Sequence, residues 1–393
     1  MKKILVSCFI FLLFCVTSSS QQRHPFFSES LSQAAANPGE LRLAIESLSF
    51  FKDNEFTSYT TKGYSLPGFW IRPKVTFQAL DNVRLEAGLQ ALHYWGANKY
   101  PSLAYSDIAL WKGDQYQKGF HILPWFRVKI DATTDLKIIL GDLYGGVNHQ
   151  LIEPLYNPEL SLTADPEIGF QILYDTPRFH FDSWINWQSF IFDQDGHKEA
   201  FTVGLSSRLQ LRDTTSRCKV YLPLQALIQH RGGELDTIFT NSVQTLMNGT
   251  IGIGMDYQLS QQWVDRLLIE TAAVGYYQQS GHIWPIDKGW GLYAHAKAYH
   301  KNLSLDLGYF DFNNFASLFG SPLYGSVSQT DNTSIRKSGV ATALVEYHHT
   351  FGQGFTLGTN AKIYYRIAQQ NTSFSAGIYF RACPSFLLKK FNL

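Results

Sequence analysis

The stretch FTVGLSSRLQL, residues 201–211, alternates apolar and polar side chains. Successive side chains of a β-strand point to opposite faces, so a period of two gives the strand one apolar and one polar face. The apolar face would hold Phe201, Val203, Leu205, Leu209 and Leu211, and the polar face Thr202, Gly204, Ser206, Arg208 and Gln210. A strand of about ten residues with one face suited to lipid and one suited to water is typical of a membrane β-barrel.

The same period of two recurs along most of the chain. It is clear in 71–80, 83–93, 120–130, 201–211, 290–299, 355–365 and 373–382, and weaker in 41–50, 136–144, 168–174, 179–190, 219–230, 250–259, 266–277, 303–312 and 339–347. The sequence therefore predicts an all-β fold, an antiparallel up-and-down transmembrane β-barrel of about sixteen strands.

The predicted connections alternate between short turns and longer loops. The short turns are rich in Asp, Asn, Gly and Ser, which favour turns. The other connections, most of them longer, are 52–67, 95–119, 145–167, 192–200, 231–249, 278–289, 313–338 and 368–371. A barrel with both termini on one side needs this alternation, with short turns in the periplasm and long loops outside. The Ser-, Asn- and Thr-rich part of the seventh loop, 321–338, suits exposure.

The two ends of the chain suggest four segments. Lys2 and Lys3 precede an apolar run over 4–16 and small residues at 17–20, the layout of a secretory signal peptide. We therefore predict a signal peptide at 1–20, an N-terminal periplasmic segment at 21–40, the barrel at 41–383, and a C-terminal periplasmic tail at 384–393.

Composition agrees with an outer-membrane location. Charged residues are 17% of the chain and aromatic residues 15%, whereas ordinary soluble domains carry roughly 25% charged residues. After the first twenty residues no apolar run approaches the roughly 18 residues of a membrane helix. The formal net charge of +1 provides no basic field, so nucleic acid is not expected as a partner.

Three stretches extend this interpretation to a class of proteins. FFKDNEF at 50–56, GYSLPGFWIRPKV at 63–75 and NHQLIEPLY at 148–156 resemble Gram-negative outer-membrane porin-like barrels of the kind common in Bacteroidetes. The resemblance implies a channel in the outer membrane. The chain departs from the usual pattern at its end, because residues 383–393 follow Phe380, the aromatic residue expected to close the last strand.

Basic residues cluster at predicted inward positions of adjacent strands. They are Arg72, Lys74, Arg84, Arg127 and Lys129. A barrel of this size encloses an aqueous channel rather than a packed core, so these charges predict a mildly basic lumen with a weak preference for anions. The alternative is a mixed wall of cross-strand ion pairs without selectivity.

The third long loop contains NHQLIEPLYNPEL, residues 148–160, which is too apolar for an exposed loop. We predict that it folds inward as a constriction, with Tyr156 against the wall and with His149, Glu153 and Glu159 free to face the channel. A cap over the barrel mouth and a contact with a neighbouring subunit are the alternatives.

Nothing in the sequence indicates catalysis. His149 and Glu153 are four residues apart, but Pro154 and Pro158 interrupt any helix that would align them, and zinc needs three or four ligands. No hydrolase motif such as GxSxG is present. We predict no enzyme activity, no metal and no cofactor.

The predicted function is a porin-like channel for passive passage of small hydrophilic solutes. A substrate-selective channel for sugars or carbohydrate acids is one alternative, and a non-conducting surface-binding or structural protein is another. The expected partners are outer-membrane lipids and small solutes. The sequence does not decide whether the protein forms a homo-oligomer.

Overall fold

The computed structural model describes residues 24, 26–29, 37–95, 121–190, 198–212, 216–233, 243–259, 263–282, 284–328, 333–352 and 354–392. The predicted signal peptide at 1–20 lies outside the described residues, as does most of the predicted loop 95–119. Within the described ranges, no helix is long and apolar enough to cross a membrane.

Strands account for most of the described chain. Their bounds are β1 Glu40–Thr57, β2 Lys62–Leu80, β3 Val83–Tyr94, β4 His121–Asp131, β5 Leu136–Asp142, β6 Ile168–Asp175, β7 Phe179–Ser189, β8 Ala200–Gln210, β9 Cys218–Arg231, β10 Gln244–Gln258, β11 Arg266–Ser280, β12 Lys288–His300, β13 Leu303–Asn313, β14 Lys337–Phe351, β15 Phe355–Arg366, β16 Asn371–Ala382 and β17 Ser385–Lys390. A short helix α1, Leu160–Thr163, and two 3₁₀ turns, Gly146–His149 and Pro322–Tyr324, lie in the loops.

The strands close into one antiparallel barrel. β1 pairs with β2 on one side and, on the other, with β16, where Ser47 lies opposite Ala382. β17 continues along β1 after an interruption at Cys383 and Pro384, so β16 and β17 fill a single position in the wall. Every strand from β1 to β16 is antiparallel to the next, and the wall has sixteen positions. The predicted fold class is confirmed.

The two faces of the wall differ as the alternation predicts. On β8, Thr202 and Ser206 are buried in the interior, whereas Leu209 is exposed on the outside. Other outward side chains are strongly exposed, among them Ile251 at 62% and Leu307 at 52%. An apolar band around a closed barrel is stable only in lipid, and barrels of this type cross the bacterial outer membrane. The protein is therefore an outer-membrane β-barrel.

Much of the interior is packed, which corrects the expectation of an open aqueous lumen. One buried apolar cluster combines the third loop, the seventh loop, the N-terminal segment and inward side chains of the wall. Its loop and N-terminal members include Phe26, Ile152, Leu155, Leu160, Leu162, Phe315, Leu318, Phe319, Leu323 and Tyr324. Burial of apolar surface contributes roughly 25 cal/mol per Å², and these segments find that burial only inside the barrel.

The first long connection is also shorter than predicted. β1 extends to Thr57 and β2 begins at Lys62, so 52–67 is a long hairpin with a turn at 58–61. Lys52 and Asn54, which lie in the predicted connection, face inward and bind the third loop.

The described parts of both terminal segments contact the barrel, whereas 21–40 and 384–393 were predicted to be periplasmic. Residues 385–390 of the expected tail form β17. In the expected segment 21–40, Phe26 is fully buried in the lumen and its ring stacks on Tyr379 at 5.3 Å between centroids. Backbone pairing with β1 explains the first difference, and burial of the aromatic ring explains the second.

Candidate pore constriction

The third long loop, residues 143–167, crosses the lumen. It leaves β5 and returns in β6, yet it also contacts β9 on another part of the wall. The backbone N–H of Ile152 donates to Gln225 Oε1 at 2.9 Å, and Gln225 Nε2 donates to the carbonyl of Gln150 at 3.0 Å. Further contacts, described below, reach β1 and β15. A segment that touches strands on separate sectors of the wall must span the interior.

Two backbone turns and an apolar sequence direct the loop inward. Gly146 and Gln150 adopt left-handed conformations, with φ of 62° and 53°. Glycine adopts this conformation readily, so the chain can bend as it leaves the wall. Leu155, Leu160 and Leu162 are then all almost fully buried. The inward fold removes apolar side chains from water that an outward loop would expose.

His149 fixes the base of this loop. Its ring stacks on Trp184 with 3.4 Å between centroids, and the protonated ring donates from Nδ1 to Asp182 Oδ2 at 2.7 Å and from Nε2 to Glu167 Oε2 at 3.0 Å. Burial alone would lower the pKa of His149, but the charges of Asp182 and Glu167 outweigh burial and raise the pKa to about 9. Both ring nitrogens are hydrogen-bonded, so His149 has a structural role and fixes the base of the loop to the wall.

Glu159 anchors the far part of the loop to the first hairpin. Its carboxylate pairs with Lys52 Nζ at 3.0 Å and accepts hydrogen bonds from Asn54 Nδ2 at 3.0 Å and from the Tyr64 hydroxyl at 2.5 Å. Burial alone would raise the pKa of Glu159, but Lys52 and these hydrogen bonds hold it below its ordinary value. The carboxylate is therefore ionised and binds the loop to β1 and β2.

Glu153 and Tyr156 connect the third loop to the seventh loop and to β15. Glu153 forms a close ion pair with Lys362 of β15 and accepts a hydrogen bond from the Tyr324 hydroxyl at 2.9 Å. Tyr156 pairs with Phe319 in an isolated parallel bridge. The two loops thus meet inside the barrel.

The predicted exposure of 321–338 is wrong for its first part. Ser321, Ser326 and Ser328 are almost fully buried. A buried hydroxyl is tolerated when it has a hydrogen-bond partner. Ser326 Oγ, for example, accepts a hydrogen bond from the Phe315 N–H at 3.1 Å. The contribution of this loop was missed because its serines suggested a solvated loop. The apolar residues that precede and interrupt them were the available signal.

The four residues predicted at the constriction differ in their surroundings. Glu153 and Tyr156 line a lumen cavity. His149 and Glu159 were expected to face the channel, but they are only 1% and 3% exposed and their charges are neutralised by partners. Among the described residues, no group of three or more His, Cys, Asp or Glu side chains is arranged to hold a metal ion.

Three of the five predicted basic residues converge on one indole ring. Arg72, Lys74 and Arg127 lie over Trp125 at 5.3, 4.5 and 4.6 Å from its centroid. Lys74 and Arg127 are almost fully buried. We call Arg72, Lys74 and Arg127 the basic cluster. A cation over an indole ring is stabilised by the ring quadrupole, more so where water is excluded.

The other two predicted basic residues have separate partners. Arg84 Nε donates to Gln78 Oε1 at 3.0 Å, and Lys129 pairs with Asp131 at 3.2 Å. The structure therefore brings together Arg72, Lys74 and Arg127 and leaves Arg84 and Lys129 in local pairs nearer the turns.

Two acids of the wall partly neutralise the basic cluster. Glu46 lies 2.8 Å from Lys74 and 3.4 Å from Arg72, and Glu86 lies 3.3 Å from Lys74 and 3.5 Å from Arg127. Such cross-strand ion pairs are the arrangement that weakens any preference of a pore for anions.

A cavity of about 410 Å³ lies below the third loop. Ile152 and Glu153 bound it on the loop side, and Lys301 and Asn302, in the short turn between β12 and β13, lie at its other end. Because short turns mark the periplasmic side, the end of the cavity at Lys301 and Asn302 lies towards the periplasm.

A separate polar pair lies on the outward face near the extracellular end of the wall. His230 of β9 and Thr245 of β10 lie opposite each other, with His230 Nδ1 3.0 Å from Thr245 Oγ1. His230 follows the exposed, outward Ile228 by two residues and therefore shares its face. The imidazole ring also lies 5.1 Å from the ring of Phe201. The pair thus faces the outer leaflet, not the lumen.

Comparison with solved structures finds other outer-membrane proteins. They include OpdK from Pseudomonas aeruginosa (9% identity, 89% of this chain and 100% of that chain, TM-score 0.49). OprD from Pseudomonas aeruginosa (10% identity, 92% and 98%, TM-score 0.47) and a loop-deletion mutant of OmpT from Vibrio cholerae (9% identity, 88% and 99%, TM-score 0.48) also match. At these values the likenesses carry no argument about function.

Comparison with curated proteins finds no match. A family profile described as lipid A 3′-O-deacylase-type matches residues 33–391, which include the whole barrel wall from β1 to β17. The chain therefore belongs to the lipid A 3′-O-deacylase-type family.

Proposed function

We propose that this barrel is a channel for small hydrophilic solutes, narrowed by the third and seventh loops. The observation that carries the proposal is the position of the third loop, which has polar contacts with β1, β9 and β15 around the wall. A loop anchored on so many sides sets the width of the passage. The cavity below it extends towards the short turn between β12 and β13.

The same contacts make the passage narrow. The polar anchors are ion pairs and hydrogen bonds, which can break without a change in the wall, but detachment also exposes the buried Leu155, Leu160 and Leu162 to water. We therefore expect small, infrequent conductance steps from the native protein. The acids beside the basic cluster support a pore of weak charge selectivity over a strongly anion-selective one.

The test is conductance of the refolded full-length protein in planar bilayers, compared with a variant that lacks residues 148–160. The proposal predicts a larger and more frequent conductance in the deletion variant. Block of the current by one sugar among a panel would identify the substrate-selective alternative. If neither protein conducts while both retain the heat-modifiable gel mobility of a folded barrel, the channel proposal is wrong.

A second candidate is deacylation of lipid A, as the family description suggests. The specific observation in its favour is the pair of His230 and Thr245, which faces the leaflet where lipid A resides. An imidazole in contact with a hydroxyl can accept its proton as the oxygen attacks an ester carbonyl. Among the described residues, no carboxylate is seen to orient His230, so this pair is less complete than a catalytic triad.

Incubation of the purified protein with lipid A, followed by mass spectrometry, tests this candidate. Loss of one acyl chain with the native protein, but not with His230→Asn, would support it. Intact lipid A in both samples, over a range of divalent cation concentrations, would eliminate it.

A further inference from the structure

The N-terminal segment places a carboxylate on the basic cluster. Glu29 accepts two parallel hydrogen bonds from Arg127, from Nη1 to Oε1 at 2.7 Å and from Nη2 to Oε2 at 3.0 Å. Lys74 Nζ donates to Oε1 at 3.0 Å, and Arg72 Nη1 lies 3.6 Å from Oε2. A guanidinium fork with two further cations is the arrangement that proteins use to bind carboxylates.

The end of β5 and the start of the third loop hold Arg127 in place by contacts that do not involve Glu29. Its Nε donates to the carbonyl of Asp142 at 2.6 Å, and Nη2 also donates to the carbonyl of Leu143 at 2.8 Å. The guanidinium lies over Tyr144 at 3.9 Å from the ring centroid. The binding group is therefore preorganised, and its position does not depend on the N-terminal segment.

Glu29 gives buried Arg127 a closer carboxylate partner than the wall does. The nearest atoms of Glu86 and Arg127 are 3.5 Å apart, whereas Glu29 accepts hydrogen bonds from Arg127 at 2.7 and 3.0 Å. Loss of a partner from a buried ion pair is strongly unfavourable, so the position occupied by Glu29 is best filled by another carboxylate.

A small cavity next to Glu29 has room for more than a carboxylate. It measures about 100 Å³, and Trp70, Trp125, Arg72 and Arg381 contribute to its lining, together with the acids Glu46, Asp165 and Glu167. Aromatic rings beside a guanidinium fork suit a small acid that has an apolar or planar body.

We propose that the basic cluster is a binding site for carboxylate solutes, and that Glu29 occupies it as an internal ligand that a solute displaces. This inference deepens the proposed channel function, on which its link to transport rests. Displacement would withdraw the buried segment that contains Phe26 and Glu29 and free part of the lumen. Carboxylate-bearing solutes are thus the ligands that release this obstruction.

The experiment measures exposure of the segment directly, without conductance. Ser28 is 6% exposed and its hydroxyl has no hydrogen-bond partner in the described residues, so Ser28→Cys is a mild change. It is introduced with Cys218→Ser and Cys383→Ser, which remove the described free thiols. The rate of labelling by a charged maleimide is then followed in detergent. Benzoate is the probe, and benzamide is the neutral control of the same shape.

We expect benzoate to raise the labelling rate saturably, by about tenfold or more, and benzamide to leave it unchanged. Adding Glu29→Gln should raise the rate without benzoate, because the charge-assisted hydrogen bonds are lost. Glu55→Gln, at an exposed position of β1, is the matched control and should have no effect. Equal responses to benzoate and benzamide, or an unchanged rate in Glu29→Gln, would overturn the proposal. A positive labelling response in a protein that does not conduct would retain this site and reject the channel.

Discussion

Replacement of Glu159 by alanine should release the third loop from the first hairpin. The change removes the carboxylate that binds Lys52, Asn54 and Tyr64, and all three partners belong to the wall. The wall itself keeps its backbone pairing, so the expected effect is on the position of the loop and not on barrel formation.

The magnitude follows from the burial of the pair. Removal of one member of a buried ion pair costs about 3–5 kcal/mol, because the partner keeps an uncompensated charge. The side chain of Glu159 is 3% exposed and that of Lys52 is 12% exposed. Since Lys52 has some access to water, we take the lower end, about 3 kcal/mol. At about 1.4 kcal/mol per factor of ten, the detached state should become roughly a hundredfold more populated relative to the docked state.

Single-channel recording in planar bilayers measures this shift as the fraction of time at the larger conductance level. Glu55→Ala removes an exposed acid from the same strand and serves as the control. The double variant Lys52→Met with Glu159→Leu replaces the pair by apolar side chains and should return the occupancy towards the native value. An occupancy in Glu159→Ala equal to that of the native protein, when deletion of 148–160 does enlarge the conductance, would refute the reasoning.

Three further predictions concern other parts of the structure. The pKa of His149 is raised from 6.5 to about 9, so its ion pairs stabilise the docked loop fully below pH 6.5 and lose that effect as pH rises through about 9. Large openings should therefore become more frequent as the pH of the recordings is raised from about 7 to about 10. His149→Phe should abolish this dependence on pH. Gly141→Ala should destabilise the folded barrel by about 1–3 kcal/mol, because φ is 88° and a Cβ would overlap the carbonyl oxygen of Phe126. Thermal unfolding followed by circular dichroism measures this change. An unchanged midpoint of unfolding would mean that the backbone relaxes around the new side chain. Tyr324→Phe removes one hydrogen bond to the third loop. The fraction of time at the larger conductance level should then rise only severalfold, because one such hydrogen bond contributes about 1 kcal/mol.

The barrel could be predicted because its signal is local. Alternation in a stretch such as 201–211 depends only on which residues face lipid and which face the lumen, and each strand contributes that signal independently. Interruptions were harder to place. The end of the last strand was missed because Pro384 breaks the pattern, although the chain resumes pairing with β1 at Ser385.

The candidate site was predicted less completely. The apolar character of 148–160 indicated an inward fold, because exposure of those side chains would be costly. The partners of His149 and Glu159 could not be inferred, since Asp182 and Lys52 lie on strands far away in sequence. Charges that seemed free to face a channel are instead neutralised by pairing.

The sequence by itself determined the fold class, the number of wall positions and the inward face of the basic residues Arg72, Lys74 and Arg127. Those properties follow from a period of two and from the requirement that a wall in lipid be apolar outside. Only the tertiary structure decided what fills the lumen. Inside the closed barrel the third loop meets β1, β9 and β15, and Glu29 of the N-terminal segment meets the basic cluster on β2 and β4. Contacts between segments so distant in the chain depend on the closed geometry, which no local pattern encodes.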